Sequence, residues 1–375
     1  MLTINPDEVP PKGWKGLKQY WKNDLTAALS VALVALPLAL GIAVAAGVPP
    51  VSGLISVVIG GVVTTFIRGS HVGINGPANA LIVVAIEAID KLGGPGESGV
   101  PYAMAAFVMA GVIQLILGML KLGKLANLVP AAAIQGMLAA IGLIILGTQI
   151  HTALGVESEA NSTLGMLIEI PKNILKLNPF ILFISAACLL MLICYPKIDN
   201  KYVKYIPAPM WVLFIAIPLY YAFKPLSQMI GKESWMVIDE NYLVQIPAQL
   251  TQGLFFPDFS KIDQPIFWLM VVLIAVVLSL ESLVSSKAVD KLDPYKRKTD
   301  LDRDLLGIGV ASIVSAFLGG LPITIVIARS SVNINHGAKT RWSNMMHGLI
   351  VLVFVVAFSA YPFCCLGCNF NFCRL

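Results

Sequence analysis

The chain has 375 residues, 57% of them hydrophobic and only 13% charged, against roughly 45–50% and about 25% for a soluble domain. Apolar blocks of about 20 residues with charges confined between them exclude a water-soluble globule and specify an all-α polytopic membrane protein. The net charge of +5 does not describe a nucleic-acid surface, because Lys and Arg fall in short stretches between the blocks, where they orient a chain in the bilayer.

Residues 1–23 read as a polar cytoplasmic leader, carrying Pro6, Pro10 and Pro11 and no apolar core of a signal peptide. Helices are then predicted over 25–46, 51–67, 77–89, 102–120, 129–150, 179–195, 207–223 and 265–285. Three more follow over 305–318, 330–336 and 345–359. The long gap from Lys224 to Gln264 contains Trp235, Tyr242, Phe255 and Phe256 and is expected to form an amphipathic cover over adjacent helices. With eleven crossings and a cytoplasmic N-terminus, 18 of the 26 Lys and Arg lie inside and six outside. The outside six are Lys91, Lys172, Lys176, Lys224, Lys232 and Lys261, a bias that supports the topology.

Two of the eleven elements are too short to cross alone, and each follows an extended, Gly- or Pro-punctuated segment. The first runs from Gly69 through His71 and Asn75 to Pro77, with Pro at a helix start, where its missing N–H is harmless. The second runs from Gly319 through Pro322 and the β-branched Ile323 to Ile327 into Ala328, Arg329, Ser330 and Ser331. Each is the third element of its series, counted from Leu25 and from Pro265, which suggests two repeats. Paired broken segments point to a central binding site, since irregular backbone inside a membrane is tolerated only where protein or a wet cavity satisfies it.

The free N–H groups of a helix start, with its partial positive charge, attract anions. Pro77, Ala78 and Asn79 at one start and Ala328, Arg329, Ser330 and Ser331 at the other are therefore the candidate anion-binding residues; the plainer alternative is a pair of kinked helices packed by small residues. Arg329 is the only cation this topology places within the membrane, where it needs a partner or a wet cavity. It either attracts an anion or pairs with Glu281. Glu281 follows fourteen apolar or small residues, so it is either a static ion-pair partner or a carboxyl that takes H+ or Na+ and couples the anion to an ion gradient. Ser285, with Ser282 and Ser286, lies on nearby turns and can supply oxygen ligands. Asn75, Asn79, Gln114 and Gln135 are polar residues in apolar surroundings, for which interhelical hydrogen bonds are the usual reason, with a site role favoured for Asn75 and Asn79. The four His residues are not at metal spacing, His336 and His347 being assigned to the inner surface, and no zinc site is readable. A membrane-embedded enzyme would need a nucleophile, metal or cofactor motif, and none is visible.

Three stretches carry a resemblance. Leu36–Leu54 holds Pro37 and then Ala46-Gly47-Val48-Pro49-Pro50-Val51-Ser52-Gly53-Leu54; Arg68–Pro77 has Gly-Pro opening a half-helix; Gly319–Arg341 holds Gly-Gly-Leu-Pro and Ala-Arg-Ser-Ser-Val-Asn. They resemble the sulfate permease (SulP) family of inorganic anion transporters, over about residues 24–359. The resemblance implies two inverted seven-helix repeats split into core and gate, with the anion between the third and tenth half-helices. It puts Arg329 on the family's basic position, Ser330 at the start of the tenth helix, and Glu281 on the eighth-helix acidic position implicated in H+ or Na+ coupling.

The implied function is secondary active transport of an inorganic anion, sulfate or bicarbonate, by symport with H+ or Na+. An anion channel or exchanger of the same fold, or a dicarboxylate or nucleobase permease, stands as the alternative, though a nucleobase permease gives no reason for Arg329. The implied partners are the small anion, the lipid bilayer and a second copy as homodimer, with no nucleic acid and no cofactor beyond the coupling ion. The expected location is a bacterial inner (cytoplasmic) membrane. Residues 24–360 form the transporter domain, a first repeat over 24–224 and an incomplete second over 265–360. The family pattern continues for three more helices and usually a cytoplasmic STAS domain. Here residues 361–375 instead form a Cys-rich stretch with Cys364, Cys365, Cys368 and Cys373. A frameshift near Tyr361 is the expected cause, with a metal-binding or palmitoylated tail as its rival.

Overall fold

A computed structural model describes residues 9–67, 69–77, 80–93, 98–123, 131–156, 163–198, 208–230 and 255–360. Those residues form the helices α1 (Gly13–Ala45), α2 (Pro50–Ile67), α3 (Ala80–Leu92), α4 (Val100–Met119), α5 (Ala131–Leu154), α6 (Thr163–Asn173), α7 (Pro179–Cys194), α8 (Ala208–Ile230), α9 (Pro265–Leu292), α10 (Leu301–Phe317), α11 (Ile327–Asn335) and α12 (Trp342–Ala360). Two strands, β1 (Asn75–Gly76) and β2 (Thr324–Ile325), precede α3 and α11. Four of the described helices, α1, α2, α4 and α9, are each long and apolar enough to cross a membrane.

Helix boundaries follow local chemistry. The first helix begins at Gly13 and not at Leu25, because no proline follows Pro11 before Leu25 and the stretch sets Trp14, Tyr20 and Trp21 among lysines. The tenth starts at Leu301, four residues ahead of the apolar run, because the Asp300 side chain caps it by accepting from the Arg303 N–H at 3.2 Å. Helix α6 lies in what the sequence suggested was a loop; its Glu169, Pro171 and Lys172 dilute the apolar signal. Of the expected cover, residues 231–254 lie outside the described residues. Residues 224–230 continue α8, and the segment from residue 255 packs on the ends of α3 and α4: the Asp258 N–H donates to Pro101 O at 3.0 Å, and Lys261 Nζ donates to Leu92 O at 2.7 Å above the Tyr102 ring.

The chain divides into two compact units, with boundaries near residues 134 and 246. In the middle unit α7 and α8 pack through Ile181, Ile184, Cys188, Ala216 and Tyr220. Asn178 caps α7, accepting from the Phe180 and Ile181 N–H groups at 3.0 and 3.3 Å.

The other unit holds both broken segments. Its helices approach closely because small residues line their contacts. A side chain at Gly309 of α10 would lie 2.8 Å from Leu115 N and 2.9 Å from Gly111 O of α4, and one at Gly61 of α2 would lie 2.7 Å from the Cα of Gly348 in α12. This unit therefore supplies rigid walls on which an irregular centre can be held.

Candidate functional site

The two strands pair antiparallel, Asn75 opposite Ile325 and Gly76 opposite Thr324, and the Val326 N–H extends the ladder to Ile74 O at 2.9 Å. Two residues per strand are too few to hold a ladder alone. Side chains from the surrounding helices satisfy the rest of this backbone. Ser330 Oγ accepts from the Ile74 N–H at 2.8 Å and Asn344 Oδ1 from the Asn75 N–H at 3.0 Å. Asn333 Nδ2 donates to Val72 O at 2.8 Å. On the second segment, Ser56 Oγ accepts from the Leu321 N–H at 2.7 Å and Ser312 Oγ from the Ile323 N–H at 3.0 Å, while Ser315 donates to Leu321 O at 2.7 Å. Each unpaired backbone group at such depth would cost several kcal/mol, so these hydroxyls and amides are what make the break stable.

The break creates a helix start. In α11 the first N–H with a partner inside the helix is that of Ser330, to Val326 O; the N–H groups of Ile327, Ala328 and Arg329 are left facing its N-terminal end. Arg329 sits in that first turn and is 0% exposed. Its Nε, Nη1 and Nη2 make no hydrogen bond among the described residues. The guanidinium reaches across to β1, where a Cβ on Gly76 would collide with Nη1. Gly76 precedes Pro77, which is buried at the approach to α3. One full positive charge and the first-turn N–H groups of α11 therefore lie beside Gly76 and Pro77 of the other broken segment. An anion about 4 Å from the guanidinium gains about 4 kcal/mol at an effective dielectric constant of 20, whereas a helix terminus contributes about 0.3–2 kcal/mol. Arg329 dominates the electrostatics.

The structure sorts the sequence candidates. Pro77 and Arg329 come together across Gly76, as just described. Ala328 is exposed and Ser331 half-buried, receiving the Asn335 amide at 3.5 Å. The Ser330 hydroxyl is engaged twice: its proton goes to Val326 O at 2.8 Å and a lone pair takes the Ile74 N–H. The Ser330 hydroxyl thereby fastens the two broken segments to each other. Ala78 and Asn79 lie outside the described residues, as do the side chain of Gln135 and the Cys-rich stretch 361–375. Asn75 is buried at the strand crossing. Gln114 is buried in α4, and neither end of its amide has a hydrogen-bond partner among the described residues, so the expected interhelical bond is not formed there.

Glu281 lies half-buried on α9, next to buried Ser282 and one turn before buried Ser285. This helix packs against α3, α4, α11 and β2. Among the described residues the guanidinium of Arg329 makes no hydrogen bond, to Glu281 or to any other side chain. Ser286, read with Ser282 and Ser285 as an oxygen donor, instead bonds Asp304 Oδ2 at 2.5 Å, within α10.

Two residues escaped the sequence reading. Asn344 donates to Gly60 O, Gly61 O and the Thr64 and Thr65 hydroxyls at 3.0–3.3 Å while accepting from β1. His347, placed by the sequence near the inner surface, is fully buried in α12. Its Nδ1 faces Asn344 O at 3.2 Å and its Nε2 has no partner among the described residues. Polar residues just ahead of an apolar run were the available signal, and they read equally well as a surface turn.

A buried cation where two broken segments cross defines a class: a polytopic membrane protein built around an irregular central site, the arrangement found in secondary transporters. Within that class, the chain belongs to the sulfate permease family, whose sequence profile matches residues 21–368. It is 30% identical over 346 residues to YvdB of Bacillus subtilis (strain 168), provisionally named a sulfate transporter, covering 92% of this chain and 61% of that protein. It is 25% identical to the bicarbonate transporter BicA of Picosynechococcus (89% and 57% covered) and 27% identical to prestin of Danio rerio (91% and 48% covered). The chain thus spans about half to three-fifths of the length of these relatives. The transmembrane domain of a cyanobacterial BicA superposes with a TM-score of 0.72 at 21% identity, covering 90% of this chain and 82% of that one. The overall structure of SLC26A9 gives 0.74 at 17% identity, covering 90% and 54%. These likenesses show the fold: a helical membrane domain with two half-strand, half-helix elements.

Proposed function

We propose that this chain forms the membrane part of a secondary active transporter of small inorganic anions, sulfate or bicarbonate, bound where α3 and α11 begin. The observation that carries the reading is Arg329, wholly buried at a helix start with no hydrogen-bond partner among the described residues. A charge at the centre of a membrane helix costs about 2.5–3.5 kcal/mol or more, and a bound anion offsets that cost while an apolar substrate does not. Arg329 and the N–H groups of Ile327, Ala328 and Arg329 are assigned the anion. Pro77, Ala78 and Asn79 bring the second helix start, and Ser330 and Ser331 belong to the site by position. Glu281, with Ser285 beside it, is assigned the coupling H+ or Na+. The names of YvdB and BicA support sulfate and bicarbonate as the substrates to try. A homodimer in a bacterial inner membrane, N-terminus in the cytoplasm, completes the proposal.

The test is uptake of labelled sulfate, bicarbonate and fumarate into proteoliposomes. Concentrative uptake of one inorganic anion is expected, and flux that only runs downhill would replace the transporter with a channel. Arg329→Ala is expected to lower anion affinity about 10²–10³-fold, from the roughly 4 kcal/mol of direct attraction. Arg329→Lys keeps the charge without the planar fork and is expected to fall between the two. Unchanged uptake by Arg329→Ala overturns the site.

A further inference from the structure

The second broken segment holds five β-branched residues in a row, Ile323 to Ile327, and Thr324 is the polar one among them. A valine would suit a strand as well and bring no hydroxyl to bury. Thr324 is 0% exposed, and its Oγ1 has no hydrogen-bond partner among the described residues. Other hydroxyls at the break are spent on protein. Ser56 and Ser312 accept N–H groups of the segment, Ser315 donates to Leu321 O, and Ser330 joins Val326 O to the Ile74 N–H. Buried polar groups are as a rule bonded, so a fully buried hydroxyl left over at this point calls for a partner from outside the chain.

Register identifies the surroundings of that hydroxyl. Thr324 lies directly opposite Gly76, and residues so paired in an antiparallel ladder send their side chains to the same face, with Cβ positions about 4.5–5.5 Å apart. On that face the Cβ position of Gly76 is filled by Arg329 Nη1, with Cζ 3.6 Å from it. The Thr324 side chain and the guanidinium therefore share one face of the ladder, and neither has a hydrogen-bond partner among the described residues. Two donors on the order of 5 Å apart can both sit at hydrogen-bonding distance, about 2.8 Å, from one small anion. We propose that Thr324 is an anion-contacting residue, its hydroxyl donating to an oxygen of the small oxyanion that Arg329 holds. The proposal rests on the reading of Arg329 as the anion site. Arg329 supplies the attraction; the hydroxyl, neutral and fixed on a strand, sets the orientation of the anion.

The purified full chain in detergent is titrated with sodium sulfate and with sodium bicarbonate at constant ionic strength, following the thermal unfolding midpoint of the parent, Thr324→Val, Thr324→Ser and Arg329→Ala. Thr324→Val keeps the shape and removes the hydroxyl. It is expected to need about 10–100-fold more anion for the same rise, the worth of a hydrogen bond to a charged group. Without anion it is expected to unfold no earlier than the parent, because what it loses is an unpartnered hydroxyl. Thr324→Ser is expected to titrate as the parent does. An unshifted Thr324→Val beside a shifted Arg329→Ala overturns this proposal and leaves the Arg329 site standing. Early unfolding of Thr324→Val without anion overturns it too, since the hydroxyl would then be holding the fold, as does a Thr324→Ser that loses as much as Thr324→Val. An Arg329→Ala that titrates like the parent, or a parent indifferent to both anions, overturns the reading of Arg329 and the Thr324 assignment with it.

Discussion

At the scale of single residues, the proposed anion site turns on Gly76 as much as on Arg329. The glycine lacks a positive φ, so its role is the space it leaves and not a special backbone. Any Cβ there would collide with Arg329 Nη1 and lie 3.7 Å from Val57 Cγ2. A guanidinium is the far end of a flexible chain, so Gly76→Ala is expected to displace the charge and spare the fold. The expected outcome is a fall in anion affinity of about tenfold or more, one hydrogen-bonding distance lost in a low-dielectric site, with an unfolding midpoint close to that of the parent. Uptake kinetics and thermal unfolding of the same preparation check it; intact affinity would mean that the guanidinium does not hold the anion from this position. The sequence singled out Arg329 and Glu281 as candidates because a lone charge in an apolar run is conspicuous. It could not disclose that the Ser330 hydroxyl is consumed by Ile74, 256 positions away, since a hydroxyl looks alike whether it faces a ligand or a distant strand.

At the scale of elements, the long helices were legible from apolar length, and their ends moved wherever a cap or a polar turn extended them, as Asp300 does for α10. The broken segments were legible as well, from Gly, Pro and β-branched residues in sequence. Their antiparallel pairing is a long-range fact that no local pattern carries. What holds the pairing is a set of side chains on neighbouring helices, among them Asn344, which accepts from the Asn75 N–H of β1 and donates to backbone and hydroxyl oxygens of α2. Asn344→Ala is expected to destabilise the chain by about 1–3 kcal/mol, the cost of leaving the Asn75 N–H buried without an acceptor. It should show as a lowered unfolding midpoint and as faster amide exchange in residues 72–76. Leu349→Ala, on the exposed side of the same helix, is the control and should move neither. Equal loss in both variants would point to a general weakening of α12.

At the scale of the whole molecule, both broken segments and α9 belong to one compact unit, and α9 packs directly on α3, β2 and α11. On the proposed reading, an ion taken up at Glu281 acts on the helices that frame Arg329 without crossing to another unit. Two sites so coupled would obey reciprocity: the factor by which the ion raises anion affinity equals the factor by which the anion raises ion affinity, commonly about 5–150-fold. Neutral Glu281→Gln keeps the shape of the side chain and removes its charge and its proton equilibrium. It is expected to retain anion binding, since Arg329 and the α11 donors are untouched, and to lose the dependence of that binding on Na+ or on pH. In proteoliposomes the same variant should equilibrate anion without accumulating it. The parent protein identifies the ion: collapse of accumulation by a protonophore assigns H+, and collapse on Na+ removal assigns Na+. Accumulation that persists in Glu281→Gln would place the coupling elsewhere and leave Arg329 as an anion site alone; loss of binding together with coupling would make Glu281 part of the anion site itself.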